Sequence, residues 1–549
     1  MNTLRIRGLA TLGLAATLTL GTVSCVKDLD REPFYDLNTE SVFSSPANQK
    51  GALARLYAGL VVTGQATTGD ITRDLQGDDE GATSYSRLLW KLQELPSDEA
   101  AVAWTDGAIQ ELNRLNWGPE NGFAQYMYNR IYFQIALCND FIRQMSDAKL
   151  SERGISGNDL TNAKNYRNEA RFLRALSYYH ALDMFGNVPF VTENDPLGKF
   201  LPPQYNRAQL FGYVESELKA LENELINARQ NEYGRADKAA AWTLLARLYL
   251  NAEVYTGTPR YADVITYTNK VIGAGYSLAP NYPNMFKADN DVTSRQEFIF
   301  PIVIDGRFTQ SFGGTTFLVK AAGGNQLLPD SLGVNEVWSG IRAKKTLPNA
   351  FGLANGANIK AFPDKRAIFF NRGQSIEISN LTNFRSNGWA VPKFTNLKST
   401  STPTNLQPGN DPTRVHVDTD FPLMRLADVY LMYAEATARG AAGGSRGTAV
   451  DYINALRVRA YGNTSGNISD ADLTPLFVLN ERARELYWEG YRRTDLIRYN
   501  RFAGPGVTYN WPWKGNVRDG QPVDARYNLY PIPLTDLTAN PNLRQNPGY

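Results

Sequence analysis

The sequence predicts a mainly α protein: a scaffold of packed helical pairs interrupted by a long irregular lobe. Three observations lead there. Residues 171–191, RFLRALSYYHALDMFGNVPFV, step Phe172, Leu176, Tyr179 and Leu182 along one helical face, while Ala175 and Ala181 lie elsewhere on the barrel. A helix apolar nearly all round belongs between other helices. Residues 240–255 followed by 261–275, and 425–440 followed by 449–460, repeat one grammar: an Ala-bearing helix, a break containing Gly, then a second amphipathic helix. Residues 278–422, rich in Gly, Asn, Phe and Pro, show no sustained period, and a structureless loop of that size is improbable in a compact domain.

Taken in order, the chain opens with Arg5 and Arg7 before an apolar run at 8–23, too short to span a bilayer comfortably. Thr22-Val23-Ser24-Cys25 resembles a bacterial lipobox, with Thr22 where Leu is usual; VKDLDRE follows. The segment 1–24 is thus a lipoprotein signal peptide with Cys25 as the lipidated residue, or an ordinary signal peptide cut near Ser24. Helices are predicted over 48–62, 123–145, 209–227 and 476–499. Residues 63–121 mix short apolar pieces with acids, Trp and Gly. The 171–191 helix should stop at Gly186-Asn187, which tolerate positive φ, and Pro189 keeps it from resuming. The two repeated pairs are of tetratricopeptide type with an incomplete repeat pattern. The resulting division is 25–277 as an N-terminal scaffold with loops in 63–121, 278–424 as an inserted lobe of loops, short strands and short helices, and 425–549 as a C-terminal scaffold and closing segment.

Composition narrows the function. A formal charge of +2 offers no clustered basic face for nucleic acid. Two His and two Cys in 549 residues leave little for a metal centre or a disulfide framework. His180 lies in the core helix and His416 in a loop, each read as structural; Cys138 reads as a buried helical residue. No Gly-x-Ser-x-Gly elbow, phosphate loop or dinucleotide fingerprint occurs in a strand-turn-helix context. No cofactor is expected. Glycoside hydrolysis needs only two carboxyls across a sugar, and Asp78, Asp79 and Glu80 in QGDDEG, or Asp98 and Glu99 in ELPSDEAAVAW, are the candidates. Acids adjacent in sequence rarely face one cleft from opposite sides, so loop capping or hydroxyl binding suits them better.

Four segments carry a resemblance: EARFLRALSYYHALDMFGNVPFV, FPLMRLADVYLMYAEA, ERARELYWEGYRRTDLIRY and the terminal YPIPLTDLTANPNLRQNPGY. Together with Cys25 they resemble, in family order, the SusD/RagB family of surface nutrient-binding lipoproteins. The resemblance implies a tetratricopeptide-like scaffold with a ligand-binding lobe built from its insertions. It also implies a lipid anchor on the outer membrane at the cell surface, and a TonB-dependent, SusC-like transporter that receives oligosaccharides or, in some branches, peptides. A peptide-binding member, or a surface glycoside hydrolase using paired carboxylates, are the alternatives.

Sugar rings stack their C–H faces on aromatic side chains while their hydroxyls need polar partners. Trp104, with Asp106 two residues on and Arg87 upstream, meets that demand, as do Phe312 and Phe317 in QSFGGTTF and Trp338 with Arg342 in NEVWSGIRA. Trp90 and Trp117 are alternatives; Trp511 and Trp513 read as structural. The family's starch-binding branch implies an arc of aromatics from these two regions with an Arg and an Asn, and Trp104, Arg87 and Trp338 lie in comparable contexts. Thr105, Asp106 and Gly107 follow Trp104, so that Asn is missing. A starch-like α-glucan is the first ligand expected. In residues 481–499, Glu481, Arg482, Arg484 and Glu485 are spaced for pairing along one helix, with Arg492 and Arg493 reaching acids on neighbouring helices.

Overall fold

Helix α1 (Pro46–Ala58) opens a succession of helices in a computed structural model that describes residues 39–64, 74–383 and 385–549. Cys25 and the signal segment lie outside the described residues. The others of length are α2 (Tyr85–Glu94), α3 (Gly107–Arg114), α4 (Gly122–Gln144), α5 (Gly157–Met184), α6 (Arg207–Glu224), α7 (Lys238–Leu250), α8 (Tyr261–Gly273), α9 (Gly314–Ala322), α10 (Leu426–Ala438), α11 (Arg446–Tyr461), α12 (Pro475–Leu486) and α13 (Arg492–Arg498). Packing runs in sequence: α4 on α5, α5 on α6, α6 on α7, α7 on α8. It then jumps the irregular segment, from α8 to α10 and on to α11 and α12. This is the expected helical-pair scaffold.

Helix α5 is its centre. Phe172 to Met184 are all buried, and the helix ends as the sequence requires, with Gly186 at φ +71° and its N–H donated to Ala181 O at 3.0 Å. A Cβ at Gly186 would also meet Leu529 Cδ1 at 2.9 Å, so glycine is required twice over. Val188–Pro189 (β2) then pairs with Gln204–Tyr205 (β3).

The irregular segment leaves and returns at one place. Phe298–Ile302 (β4) pairs antiparallel with Phe421–Arg425 (β6), Phe298 facing Arg425. Ala100–Val102 (β1) pairs antiparallel with Ile341–Ala343 (β5), Ala100 facing Ala343, which joins the loops before α4 to those between α8 and α10. Residues Lys50–Tyr549 form one compact unit.

Three expectations need correction. Residues 476–499 are two helices, not one: Trp488 and Gly490 take φ +64° and +82°, and the amide N–H groups of Gly490 and Tyr491 turn to Glu94 Oε1 at 2.7 and 3.3 Å. The charges of that segment also pair mainly across elements. Arg484 does reach Glu481 along α12 at 2.6 Å, but Arg482 pairs with Asp428 and Asp495, and Glu485 with Arg425. Helix α2, whose ten residues are all buried, was not among the expected helices although Tyr85, Leu88, Leu89 and Leu92 step along one face; Arg87, Lys91 and Glu94 stand among them.

Candidate functional site

Strand pairing β1–β5 sets the geometry. At its open end Ala103 N–H donates to Gly340 O at 2.9 Å, and the Trp104 indole N–H donates to Ser339 O at 2.6 Å. Trp104 and Trp338, 234 residues apart by number, are thereby brought to one face, both half-buried. Gly340 permits the approach: at φ +135° it carries no Cβ, and one built there would lie 2.5 Å from Trp104 Nε1.

Phe312 completes the face. Its ring meets Trp338 edge-on with centroids 5.4 Å apart and lies 5.2 Å from the His416 ring. Glu80 fixes the loop that carries it, accepting from Phe312 N–H at 2.6 Å, Ser311 Oγ at 2.9 Å and Thr63 Oγ1 at 2.8 Å. Lys320 approaches the Phe312 and Trp338 rings, with Nζ 5.4 and 5.5 Å from their centroids, and donates to Asn335 Oδ1 and Glu336 Oε1 at 2.9 and 3.2 Å. Glu336 also accepts the Trp338 indole N–H at 3.2 Å. Hydrogen bonds from Trp338 and Lys320 hold its carboxyl below the usual carboxylate range.

Phe317 is removed from the contact set. It is wholly buried, edge-on to both Trp90 and Trp104, and supports the Trp104 ring from beneath. Arg87 is also buried; its guanidinium lies 4.7 Å over Phe317 and grips Asp79 through two bonds of 2.9 and 3.1 Å. It therefore presents Asp79, which is largely exposed, in place of itself. Asp106 is exposed at the N-terminus of α3, with its side chain free of any capping bond. Of the alternatives, Trp90 and Trp117 are buried, Trp117 donating to Tyr549 Oη at 2.7 Å. Arg342 is buried in β5 and donates to Ile341 O at 2.6 Å.

Sequence reasoning missed Lys320, Glu336, Lys91 and Tyr126. Glu336 stands two residues before Trp338 and could have been found by asking what that indole N–H binds. Lys91 is buried in α2 with its ammonium 3.6 Å over the Phe123 ring, and burial drives its pKa well down. Tyr126 donates to Asp78 Oδ1 at 3.0 Å. Lys91, Phe123 and Tyr126 extend the floor on the Asp78–Asp79 side.

The paired carboxylates are otherwise engaged. Asp98 and Glu99 are buried, Asp98 binding Arg492 through bonds of 2.7 and 2.8 Å with Glu99 3.5 Å from the same guanidinium. Burial raises Glu99 and its neighbour Glu94 together, while Arg492 helps to hold Asp98 down. Asp79 and Glu80 serve Arg87 and the Phe312 loop. His180 is buried against Tyr85 Oη at 2.7 Å. Among the described residues no group of three or more His, Cys, Asp or Glu could hold a metal ion. The face can therefore stack a flat C–H surface and offer Asp and Glu groups around it, with Lys320 buried behind the rings.

Residues 328–549 match the family described as the SusD family, and residues 77–250 match one described as starch-binding and associating with the outer membrane. The starch-binding protein SusD of Bacteroides thetaiotaomicron is 35% identical, with all of both chains covered. This chain belongs to the SusD family. SusD-like protein P2 of Formosa agariphila is 26% identical over 97% of this chain and 98% of its own. Among solved structures, surface glycan-binding protein A from Bacteroides thetaiotaomicron in complex with laminarihexaose superposes with a TM-score of 0.65 at 18% identity, over 91% of this chain and 99% of its own. The protein of that name from Bacteroides fluxus gives 0.66 at 20% identity, over 92% and 100%. At those identities the likeness speaks for the fold. The SusD family is one of binding proteins, not enzymes. Among the described residues no helix is long and apolar enough to cross a membrane.

Proposed function

We propose that this SusD-family chain captures oligosaccharides at the cell surface on the face formed by Trp104, Trp338 and Phe312. Asp79, Asp106 and Glu336 accept from sugar hydroxyls there, while Arg87 and Phe317 act as supports beneath. The observation that carries the reading is the β1–β5 pairing, which brings two half-buried tryptophans from distant segments to one surface. Stacking on such rings, with a small set of hydrogen bonds around them, is the chemistry of carbohydrate recognition.

The ligand we favour is a starch-like α-glucan, on the full-length likeness to a starch-binding protein. The proposed setting is the outer membrane, with a lipid anchor at Cys25 and a SusC-like TonB-dependent transporter as the recipient. The test is calorimetric titration of the chain from Cys25 onward with maltoheptaose, laminarihexaose and a mixed peptide pool, beside Trp104→Ala and Trp338→Ala. Removing a stacking ring from the centre of a site costs about 2 kcal/mol, roughly thirtyfold in affinity. Binding that survives both substitutions would remove the site, and binding of peptide alone would remove the carbohydrate.

A further inference from the structure

A second cavity, of about 490 Å³, lies between residues 229–237, Tyr276 and residues 292–301. None of the residues of the tryptophan face lines it. Its volume falls in the range of small-molecule sites, about 300–1,000 Å³. Two cations in its lining set it apart. Arg295 lies over the Tyr233 ring at 5.1 Å and Arg229 over the Tyr276 ring at 5.5 Å. Both side chains are exposed, and among the described residues neither guanidinium has a carboxylate partner.

Most of the other charges around the cavity are already engaged; Asp291, beside Val292, acts electrostatically on Tyr233 and Asp420. Arg235 pairs with Glu169 and, at 3.1 Å, with Glu232. Glu232 is also held by Lys50 at 2.8 Å. Asp237 spends its oxygens on backbone N–H groups, Oδ2 on Arg229 at 2.6 Å and Oδ1 on Ala239 and Ala240 at 2.8 and 3.2 Å. In the lining itself two guanidiniums without a carboxylate partner remain, each within cation–π range of a phenol ring.

The shape around them is built. Arg229 sits at φ +63°, a left-handed backbone that a long side chain adopts only under constraint, and such positions gather at binding sites. The constraint is visible: Asp237 takes its N–H, and its guanidinium donates to Gly275 O. Tyr233, which carries Arg295, is anchored by its hydroxyl to Asp420 Oδ2 at 2.6 Å. Beside the two guanidiniums lie Gln296, able to meet hydroxyls, and an apolar side of Pro301 and the 75% exposed Val292.

We propose that this cavity is a second ligand site, for a saccharide unit bearing an oxyanion. Its carboxylate, sulfate or phosphate group would be gripped by Arg229 and Arg295, and its ring would rest on Val292 and Pro301. Guanidinium is the side chain suited to such groups because its N–H edge matches two oxygens at once. The site is independent of the glycan reading of the tryptophan face.

The experiment is calorimetric titration of the same chain, at low ionic strength, with glucuronate, glucose 6-phosphate, glucose and inorganic sulfate. Wild type is compared with Arg295→Gln, Arg229→Gln and the Trp104→Ala/Trp338→Ala chain. We expect saturable binding of glucuronate or glucose 6-phosphate, at least about tenfold weaker in Arg295→Gln, unchanged in the tryptophan variant, and not seen with glucose. Arg295 is exposed and makes no hydrogen bond among the described residues, so its replacement leaves the scaffold intact. Absence of oxyanion binding at millimolar concentration, or binding unchanged in both arginine variants, overturns the site. Sulfate binding as tightly as either sugar would overturn its saccharide part.

Discussion

Replacing Gly340 by alanine should disable the tryptophan face without touching any ring. The new Cβ would fall 2.5 Å from Trp104 Nε1 and 3.0 Å from Cδ1 and Cε2, on a backbone at φ +135°. Either the indole leaves its bond to Ser339 O, or residue 340 moves and loses its bond with Ala103 N–H. Holding a side chain in that region of backbone space costs about 1–3 kcal/mol, and one lost hydrogen bond adds about 1 kcal/mol, so a stability loss of about 2–4 kcal/mol is expected. If the Trp104 ring stacks on the ligand, its displacement should also weaken glucan binding by roughly thirtyfold. Gly356→Ala is the control, since Gly356 is at φ +80° with nothing within 4 Å of an added Cβ; it should cost stability alone. Urea unfolding and glucan titration of the three proteins give both numbers. Gly340→Ala binding as tightly as Gly356→Ala would show that the pose of Trp104 plays no part in recognition.

Glu80→Gln should lower stability slightly and loosen the Phe312 loop, since a charge-assisted bond to Phe312 N–H is lost. That is about 1 kcal/mol, or roughly fivefold in glucan affinity by titration. Arg425→Met should be strongly destabilising, by about 3–5 kcal/mol in urea unfolding, because Glu297, Glu485 and Glu489 would lose a buried partner. His180 supplies a pH dependence. Burial pushes its pKa down from 6.5 to about 3, so between those values the unfolded chain binds the extra proton, and stability falls as pH drops from 6.5 toward 3. From pH 7 to pH 5 this amounts to about 2 kcal/mol, and His180→Gln should show an acid loss smaller by that amount when urea midpoints are compared at the two pH values.

Much of the scaffold could be read from the sequence because helical periodicity survives burial: Phe172, Leu176, Tyr179 and Leu182 pointed to a core helix, and Gly186 to its end. Helix α2 was missed although Tyr85, Leu88, Leu89 and Leu92 step along one face, because Arg87, Lys91 and Glu94, all buried, make the short segment read as a charged loop. Arg87 is held by Asp79 and Glu94 by the amides of Gly490 and Tyr491, partners that the pattern of the helix itself does not announce. The same limit divides the site. Trp104 and Trp338 were identifiable as aromatics among polar loop residues, but composition cannot tell a ring on the surface from one beneath it. Phe317 is a candidate on the same grounds, with Trp90 and Trp117 as alternatives, and all three are buried. Arg229 and Arg295 gave no signal at all, because a guanidinium without a carboxylate partner differs from a paired one only in what surrounds it.

The charged motif of residues 481–499 takes on a structural meaning from where its partners lie. Arg425 ends β6, Glu297 immediately precedes β4, and Glu485 and Glu489 belong to the C-terminal scaffold; all four side chains are fully buried. Buried ion pairs contribute little net stability, since desolvation offsets most of their attraction, and their best-attested use is to fix a register. Here the β4–β6 ladder cannot fix it alone. Its pairing shifts between Phe298 and Phe300 and again between Phe300 and Ile302, and a short irregular ladder with large apolar residues on both strands can slip at little cost. The bidentate grip of Arg425 on Glu489, with its further bonds to Glu297 and Glu485, admits one alignment only. Since the irregular segment that carries Trp338 and Phe312 begins and ends at that ladder, the cluster determines where the lobe starts and returns. A scaffold segment outside the tryptophan face thus takes part in setting the platform on which the proposed ligand rests.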